Sequence, residues 1–324
     1  MSAKKVLIVG GCGYVGGHLI DLLKRKERFW DVTVYDNLMY ETRYLKKVNF
    51  IYGDVRDQKH LGSIINCFDI IVWLAAIVGD GACQVDVQLT EEVNNKAIKW
   101  LVDNFEGKII FTSTCSVYGI NNELLDENAA TNPLSIYAST KLEVEKYICE
   151  NAKNYLIFRL GTLYGQGDSY SRIRLDLVVN VLTKKASEGE PMTVFGGEQW
   201  RPLLHVKDAA NAIIYSLEND LNGLFNLSTG NYRISQVAEK IHAVLPDSVV
   251  VNQDISFEDS RNYKVDNRKI TSTGWVGEYS LEDGILEMVS IFKDQRVLDI
   301  NDSSYSNVAH LKKMYSLQTE NDFY

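Results

Sequence analysis

Proline is scarce in this chain, with four in 324 residues, which excludes a collagen-like or proline-rich extended protein. The five cysteines (Cys12, Cys67, Cys83, Cys115, Cys149) are odd in number and scattered, with no Cys-x-x-Cys and no neighbouring histidine cluster. Neither a disulfide framework nor a structural zinc site is expected, and no metal. Free thiols suit a reducing compartment. No uninterrupted apolar stretch approaches the roughly 20 residues that cross a bilayer as a helix. Met1-Ser2-Ala3-Lys4-Lys5 runs straight into Val6-Leu7-Ile8-Val9, without the long apolar core of a signal peptide. The expectation is a cytoplasmic protein with no membrane partner. Positive charge is also in deficit, with 34 Lys and Arg against 43 Asp and Glu for a net −9. A surface that acidic repels a phosphate backbone, so general nucleic-acid binding is not expected, although a local basic pocket for a small anion is compatible with it.

What is present is an ordinary globular composition, 45% apolar and 24% charged, of a length that suits two domains. The first half alternates short β-branched runs with helical stretches, which predicts βαβ units and a parallel sheet. The expected strands are Val6–Val9, Val32–Tyr35, Asn49–Tyr52, Ile70–Leu74, Ile109–Ser113 and Leu156–Leu160. Their near-continuous hydrophobicity fits a sheet covered on both faces. His18–Lys26, Glu91–Asn104 and Tyr137–Asn151 read as amphipathic helices. After Gly161 come glycine turns (Gly165-Gln166-Gly167, Gly196-Gly197), a helix near Leu175–Lys185, a strand–helix step at Leu203–Leu217 and a polar tail from about Asp299. Residues 1–162 are expected to form a nucleotide-binding domain and 163–324 a second lobe, with 203–228 returning to the first.

Val6–Val9 leads into Gly10-Gly11-Cys12-Gly13-Tyr14-Val15-Gly16, followed by helix-like sequence. Glycine at 10 permits a tight turn, glycine at 13 lets backbone approach a pyrophosphate, and glycine at 16 lets helix and strand pack closely. The helix N-terminus supplies N–H donors and a positive dipole. A glycine triplet alone is weak evidence, but a second strand ends at Asp36, 20 residues after Gly16. A dinucleotide fold needs a carboxylate there for the adenosine ribose hydroxyls. Asp36 would repel a 2′-phosphate and no arginine follows it directly, so NAD is expected rather than NADP. Asp54, after the third strand, is a candidate for the adenine amino group, or a turn former.

Tyr137 and Lys141 stand four residues apart on an expected helix, hence on one face. A phenol beside a fixed cation can serve as a general base. Phe111-Thr112-Ser113-Thr114-Cys115-Ser116-Val117-Tyr118-Gly119 lies at the C-terminal end of the fifth strand, the edge where open α/β sheets bind ligands.

With these motifs in hand, the sequence resembles the extended short-chain dehydrogenases/reductases, in particular the nucleotide-sugar epimerases and dehydratases. The likeness covers nearly the whole chain and extends to Gln199-Trp200-Arg201-Pro202-Leu203-Leu204-His205-Val206-Lys207-Asp208. It implies an α/β fold: a Rossmann doubly wound parallel sheet with a smaller C-terminal α/β lobe for a nucleoside-diphosphate sugar. On this resemblance the NAD site comprises Gly10, Gly13, Tyr14, Val15, Gly16, Asp36, Asn37, Asp54, Val55, Leu74, Ala75 and Ala76, together with Tyr137 and Lys141. Tyr137 would be the base that removes a sugar hydroxyl proton. Lys141 would lower its pKa and hold the nicotinamide ribose, and Thr114 would hydrogen-bond the same hydroxyl. Substrate contacts would include Asp80, Ser116, Thr162, Arg174 and Asn180, with Arg201 and Arg261 clamping the diphosphate. Asp208 is expected to cap the following helix. The resemblance also implies a homodimer built as a four-helix bundle from Glu91–Asn104 and Tyr137–Asn151.

Departures from the family pattern narrow the expected chemistry. The 4,6-dehydratases carry Asp then Glu directly after that threonine, where this chain has Cys115 and Ser116. The 3,5-epimerising members carry cysteine two places after it, and Cys115 stands one place early. Redox at one sugar carbon, C4, remains. The loop Ile77–Cys83 with Trp200-Arg201-Pro202 resembles a branch acting on surface-polysaccharide sugars, which includes GDP-heptose 4-dehydrogenases. A 4-epimerase, a 4-dehydrogenase, a 4-ketoreductase and an NAD-sensing regulator are the readings in play, and the base and sugar stay open.

Overall fold

The structure is a computed structural model that describes residues 3–26, 29–41, 43–253 and 261–321. Seven parallel strands form the central sheet: β1 (Lys4–Val9), β2 (Trp30–Asp36), β3 (Asn49–Tyr52), β4 (Ile70–Trp73), β5 (Lys108–Thr114), β6 (Tyr155–Leu160) and β7 (Gly223–Leu227), in the order β7-β6-β5-β4-β1-β2-β3. Ile8 of β1 pairs with Val34 on one side and Val72 on the other. The chain runs outward from β1 to β3, then crosses back to β4 and continues the other way. That reversal opens a crevice at the carboxyl ends of β1 and β4, the place where such sheets hold ligands.

Alternation along β1 divides the core in two. Val6 and Ile8 face one side, where Leu19, Ile20 and Leu23 of α1 (Tyr14–Lys24) pack with other residues of that layer. Leu7 and Val9 face the other, shared with Ile98 and Leu101, and with Val144 and Ile148. All are fully buried, each worth ~1.5–3 kcal/mol relative to exposure, and burial on both faces is why these strands read as unbroken apolar runs. On that second face lie α2 (Asp80–Val85), α3 (Ala97–Asn104) and α4 (Ile136–Asn151). The first face is completed by α5 (Val206–Glu218), whose Ala209, Ile213 and Leu217 pack with α1.

Within 203–228, β7 joins the seven-stranded sheet and α5 the core on its first face, but the strand Trp200–His205 does not join that sheet. It pairs with Thr162–Tyr164 and Gly230–Arg233 in a separate sheet. The second lobe has its own core, with Val179 and Leu182, Val237 and Ile241, and Ile285 and Val289 from three helices packed on Met192, Val194 and Leu203. α5 is capped differently from the sequence expectation. His205 is the N-cap and accepts from Lys207 N at 3.2 Å. Asp208 instead accepts the backbone N–H groups of Glu278 and Tyr279, at 2.9 and 3.2 Å.

The expected polar tail is in fact a helix, α6 (Asn307–Asn321). Leu311 is 2% exposed in the second-face core, with Val308 and Met314 against it. Val308, Leu311, Met314 and Tyr315 recur at helical spacing, a stripe hidden in sequence by the surrounding polar residues. Among the described residues no helix is long and apolar enough to cross a membrane, and no three His, Cys, Asp or Glu side chains group to hold a metal.

Candidate active site

One cavity of about 1300 Å³ runs along the carboxyl edge of the sheet, from Asp36 and the glycine turn, past Thr114, Tyr137 and Lys141, to Arg201 and Arg261 in the second lobe. Its first wall is the glycine turn. Gly10 has φ +81°, and a Cβ there would meet Ala75 N at 2.4 Å. Gly16 packs on the turn itself, since its Cβ would lie 2.5 Å from Gly11 O. At Gly13 a Cβ would meet only Gly10 O, at 3.4 Å, so the space beyond this backbone is cavity. Gly13 is also the N-cap of α1 and supplies no capping side chain, which leaves the first-turn N–H groups for an anion. This cradle fits the pyrophosphate of NAD.

Asp36 closes β2 and is held by two backbone donors, Cys12 N at 2.9 Å and Leu38 N at 2.7 Å. Burial raises its pKa while these bonds pull it back. Asn37, Val55, Leu74, Ala75, Ala76, Tyr14 and Val15 all line the same end. Asp54 does not. Its carboxylate is taken by Arg56 at 2.9 Å and by Asn37 Nδ2 at 3.1 Å, which keeps its pKa below the usual carboxylate range. Asp54 therefore orients Asn37, and its flanking residues Gly53 and Val55 face the cavity.

Midway, Thr114 accepts Ser116 N at 3.1 Å, leaving its own O–H to donate. Lys141, 2% exposed, donates from Nζ to Thr112 O at 2.9 Å and lies 4.6 Å from the centre of the Phe111 ring. Burial lowers its pKa to about 8. The Tyr137 phenol is pushed upward, first by burial and then by Cys83 and Asp80, while Arg174 and Arg261 pull it down. Cys115 is 1% exposed, donates to Arg159 O at 3.1 Å and does not line the cavity, which suits a packed residue.

In the second lobe, Arg201 donates to the carbonyls of Trp200, at 2.9 Å, and Arg261. Arg261 Nη1 reaches Ser116 Oγ at 3.3 Å and Asp80 Oδ2 at 3.3 Å. Asp80 Oδ1 is buried with no hydrogen-bond partner among the described residues. Thr162, Ser116, Arg174, Arg201 and Arg261 line the cavity as expected, but Asn180 does not. Its amide accepts Gly165 N at 3.1 Å and donates to Gly165 O at 3.1 Å and Arg174 O at 2.8 Å, so it shapes the loop that carries Arg174. Asp259 and Ser260, beside Arg261, lie outside the described residues.

Several residues that meet here escaped the sequence reading. A π-helical turn at Glu92–Lys96 presents Asn94, which clamps Ile77 through both its backbone groups at 2.8 and 2.9 Å and so fixes the loop before Asp80. Arg172, Asn307 and Val308 also line the cavity. The helical stripe in 308–315 could have revealed the last two, and Arg172 stands beside Arg174 in the segment before Leu175–Asn180, whereas nothing in sequence marks Asn94.

Comparison with known proteins agrees with this geometry. The family model of the NAD dependent epimerase/dehydratase family matches residues 6–228. A putative UDP-glucose 4-epimerase of Methanocaldococcus jannaschii is 28% identical over 315 residues, covering 89% of this chain and 98% of that protein. The UDP-glucose 4-epimerase of Halalkalibacterium halodurans is 30% identical over 265 residues, covering 72% of this chain and 78% of that one. Among solved structures, the UDP-glucuronic acid 4-epimerase of Bacillus cereus superposes with a TM-score of 0.79 at 23% identity, over 90% of this chain and 99% of that one, a likeness of fold. The chain belongs to the NAD dependent epimerase/dehydratase family, and NAD is its cofactor.

Proposed function

We propose that this protein is a 4-epimerase of a nucleoside-diphosphate sugar. The observation that carries the reading is the single cavity that joins the glycine turn and Asp36 to Thr114, Tyr137 and Lys141 and then to Arg201 and Arg261. Its volume of about 1300 Å³ exceeds the ~300–1,000 Å³ of a site for one small ligand, in keeping with a dinucleotide and a nucleotide sugar together. The nearby arginines explain how a protein of net charge −9 takes two polyanions.

Bound NAD supplies a hydride acceptor beside the sugar. Tyr137 takes the proton of the C4 hydroxyl as that carbon is oxidised and returns it when the carbon is reduced. Thr114 donates to the same oxygen and orients it. Lys141 would fix the nicotinamide ribose, its ammonium oriented by a bond to Thr112 O. Arg201 and Arg261 grip the diphosphate. Cys115 is buried away from the cavity and Ser116 is no acid, so nothing at these positions expels a hydroxyl from C6.

The relatives' names make UDP-sugars the first substrates to try. The loop 77–83 and Trp200-Arg201-Pro202 favour, more narrowly, a hexose or heptose destined for a surface polysaccharide. The reading includes a cytoplasmic homodimer through residues 91–104 and 137–151, which light scattering at micromolar concentration checks. The test of function is a panel of UDP-, GDP-, dTDP- and CDP-sugars with product stereochemistry read by NMR. An epimer at C4 formed with catalytic NAD is expected. A 4-keto sugar accumulating with stoichiometric NADH would make the enzyme a dehydrogenase.

A further inference from the structure

Beyond the pull of Arg174 on the Tyr137 phenol, the proposed chemistry gives Arg172 and Arg174 no part. Both line the cavity at its cofactor end. The Arg174 guanidinium lies 5.7 Å from the centre of the Tyr14 ring, and Tyr14 is the first residue of α1, next to Gly13. The Arg172 guanidinium lies 4.4 Å from the centre of the Tyr40 ring, four residues beyond Asp36. The two cations therefore face the glycine turn from the second lobe, above the crevice between β1 and β4.

Their surroundings leave positive charge over. Arg174 pairs with Asp176 at 2.6 Å. Arg172 donates to neutral acceptors, Ser304 O at 2.6 Å and the Asn307 side-chain carbonyl. Among the described residues, no carboxylate comes within ion-pair distance of its guanidinium. Glu41 is near, accepting Arg172's backbone N–H at 2.9 Å, but burial pushes this carboxyl up to about 7, so it offsets only part of the charge. Burial and then the charge of Arg174 hold Arg172 itself down to about 10, against a smaller opposing pull from Asp176, Tyr40 and Glu41.

The C-terminal segment holds this arrangement. Asn307 takes hold of Arg172 through its side-chain carbonyl, donates from Nδ2 to Val78 O at 2.8 Å, and gives its backbone N–H to Asp176 Oδ2 at 2.7 Å. One turn on, His310 Nε2 meets Met39 O at 2.9 Å and its ring packs 5.2 Å from that of Tyr40. The start of α6 thus ties together the loops after β2 and β4 and the segment carrying both arginines.

We infer that Arg172 and Arg174 form a second jaw on the pyrophosphate of the dinucleotide, opposite the glycine turn, and that residues 303–310 hold this jaw in place. The inference rests on the reading of the cavity as an NAD site. It gives the cofactor charge-assisted bonds from both lobes. That suits a cycle in which the hydride returns to the sugar and the dinucleotide has no need to leave.

The same guanidiniums could instead bind a carboxylate on the sugar, and one experiment separates the sources. Binding of NAD, ADP and adenosine is measured by calorimetry on nucleotide-free wild type, Arg172→Met and Asn307→Leu, with UDP-glucose and UDP-glucuronic acid measured in parallel. Arg172→Met should weaken NAD and ADP ~10- to 100-fold, the scale of a lost hydrogen bond to a charged group. Adenosine and the ratio of the two UDP-sugars should stay unchanged. Asn307→Leu should speed NAD release about tenfold in stopped-flow. If Arg172→Met lowers the melting temperature, Arg172→Lys, which keeps the charge without the fork, should bind NAD with intermediate affinity. Equal loss of adenosine, or loss confined to UDP-glucuronic acid, overturns the inference. Unchanged NAD affinity in a wild type that binds NAD overturns it alone, whereas a wild type that binds no NAD overturns the cofactor reading with it.

Discussion

Asp80 and Arg261, from the two different lobes, meet at 3.3 Å in the wall of the cavity. The carboxylate thus offsets part of the charge of the guanidinium proposed for the diphosphate. Asp80→Asn should tighten UDP by about two- to fivefold, the range of a partly exposed ion pair. Calorimetry with UDP checks this, and weaker UDP binding in the variant would show that Asp80 positions Arg261 instead of competing for it.

Tyr137→Phe keeps the ring and removes the proposed base. Turnover should fall on the order of a hundredfold or more, while NAD affinity persists because the glycine turn and Lys141 remain. Thr114→Val removes one hydrogen bond at the reacting oxygen and should cost less, ~2–3 kcal/mol in the barrier. With Cys115 and Ser116 in place, no 6-deoxy-4-keto product should appear with any nucleotide hexose. Detection of such a product would refute the reading of positions 115 and 116.

Lys141 carries a cost in the ligand-free fold. Its pKa drops from 10.5 to about 8 on burial, so between those pH values the unfolded chain binds more protons than the native one. Stability of the ligand-free protein should therefore rise as pH climbs from about 8 toward 10.5, and the penalty is fully present below 8. Lys141→Met should raise the stability of ligand-free protein at pH 7 by ~1–3 kcal/mol, less the lost bond to Thr112 O, while abolishing turnover. Melting curves across this range decide it, and a variant no more stable than wild type at pH 7 would contradict the burial cost.

Cofactor choice should rest on two carboxylates. Asp36, proposed for the ribose diol, and Glu41 line the same cavity, and the charge of Asp36 helps to raise the Glu41 carboxyl. NAD should bind far better than NADP in the wild type. Asp36→Ala should narrow that preference, and adding Glu41→Gln should narrow it further. Competitive titration with the two dinucleotides measures this, and equal affinities in the wild type would sink the role of Asp36.

The parallel sheet and its glycine turn were legible in the linear chain because their determinants are local. Strand hydrophobicity, a glycine at a positive-φ turn and a Tyr/Lys pair one helical turn apart depend on near neighbours. The position of Thr114 at the carboxyl end of β5 follows from the same logic. Tertiary structure decided whatever depends on which distant groups become neighbours. Asp54 and Asn180 have the residue types of ligand contacts, yet Arg56, Asn37 and the Gly165 backbone absorb their hydrogen bonds. The Tyr137 phenol is pushed up by its burial and by Cys83 and Asp80, and pulled down by Arg174 and Arg261, all of them distant in sequence. α6 reads as a polar tail, but Leu311 finds an apolar surface 200 residues away in sequence, and its burial carries Asn307 to Arg172. Burial and charge are summed over space, and a chain read in order shows only the part of that sum that lies within a turn or a strand.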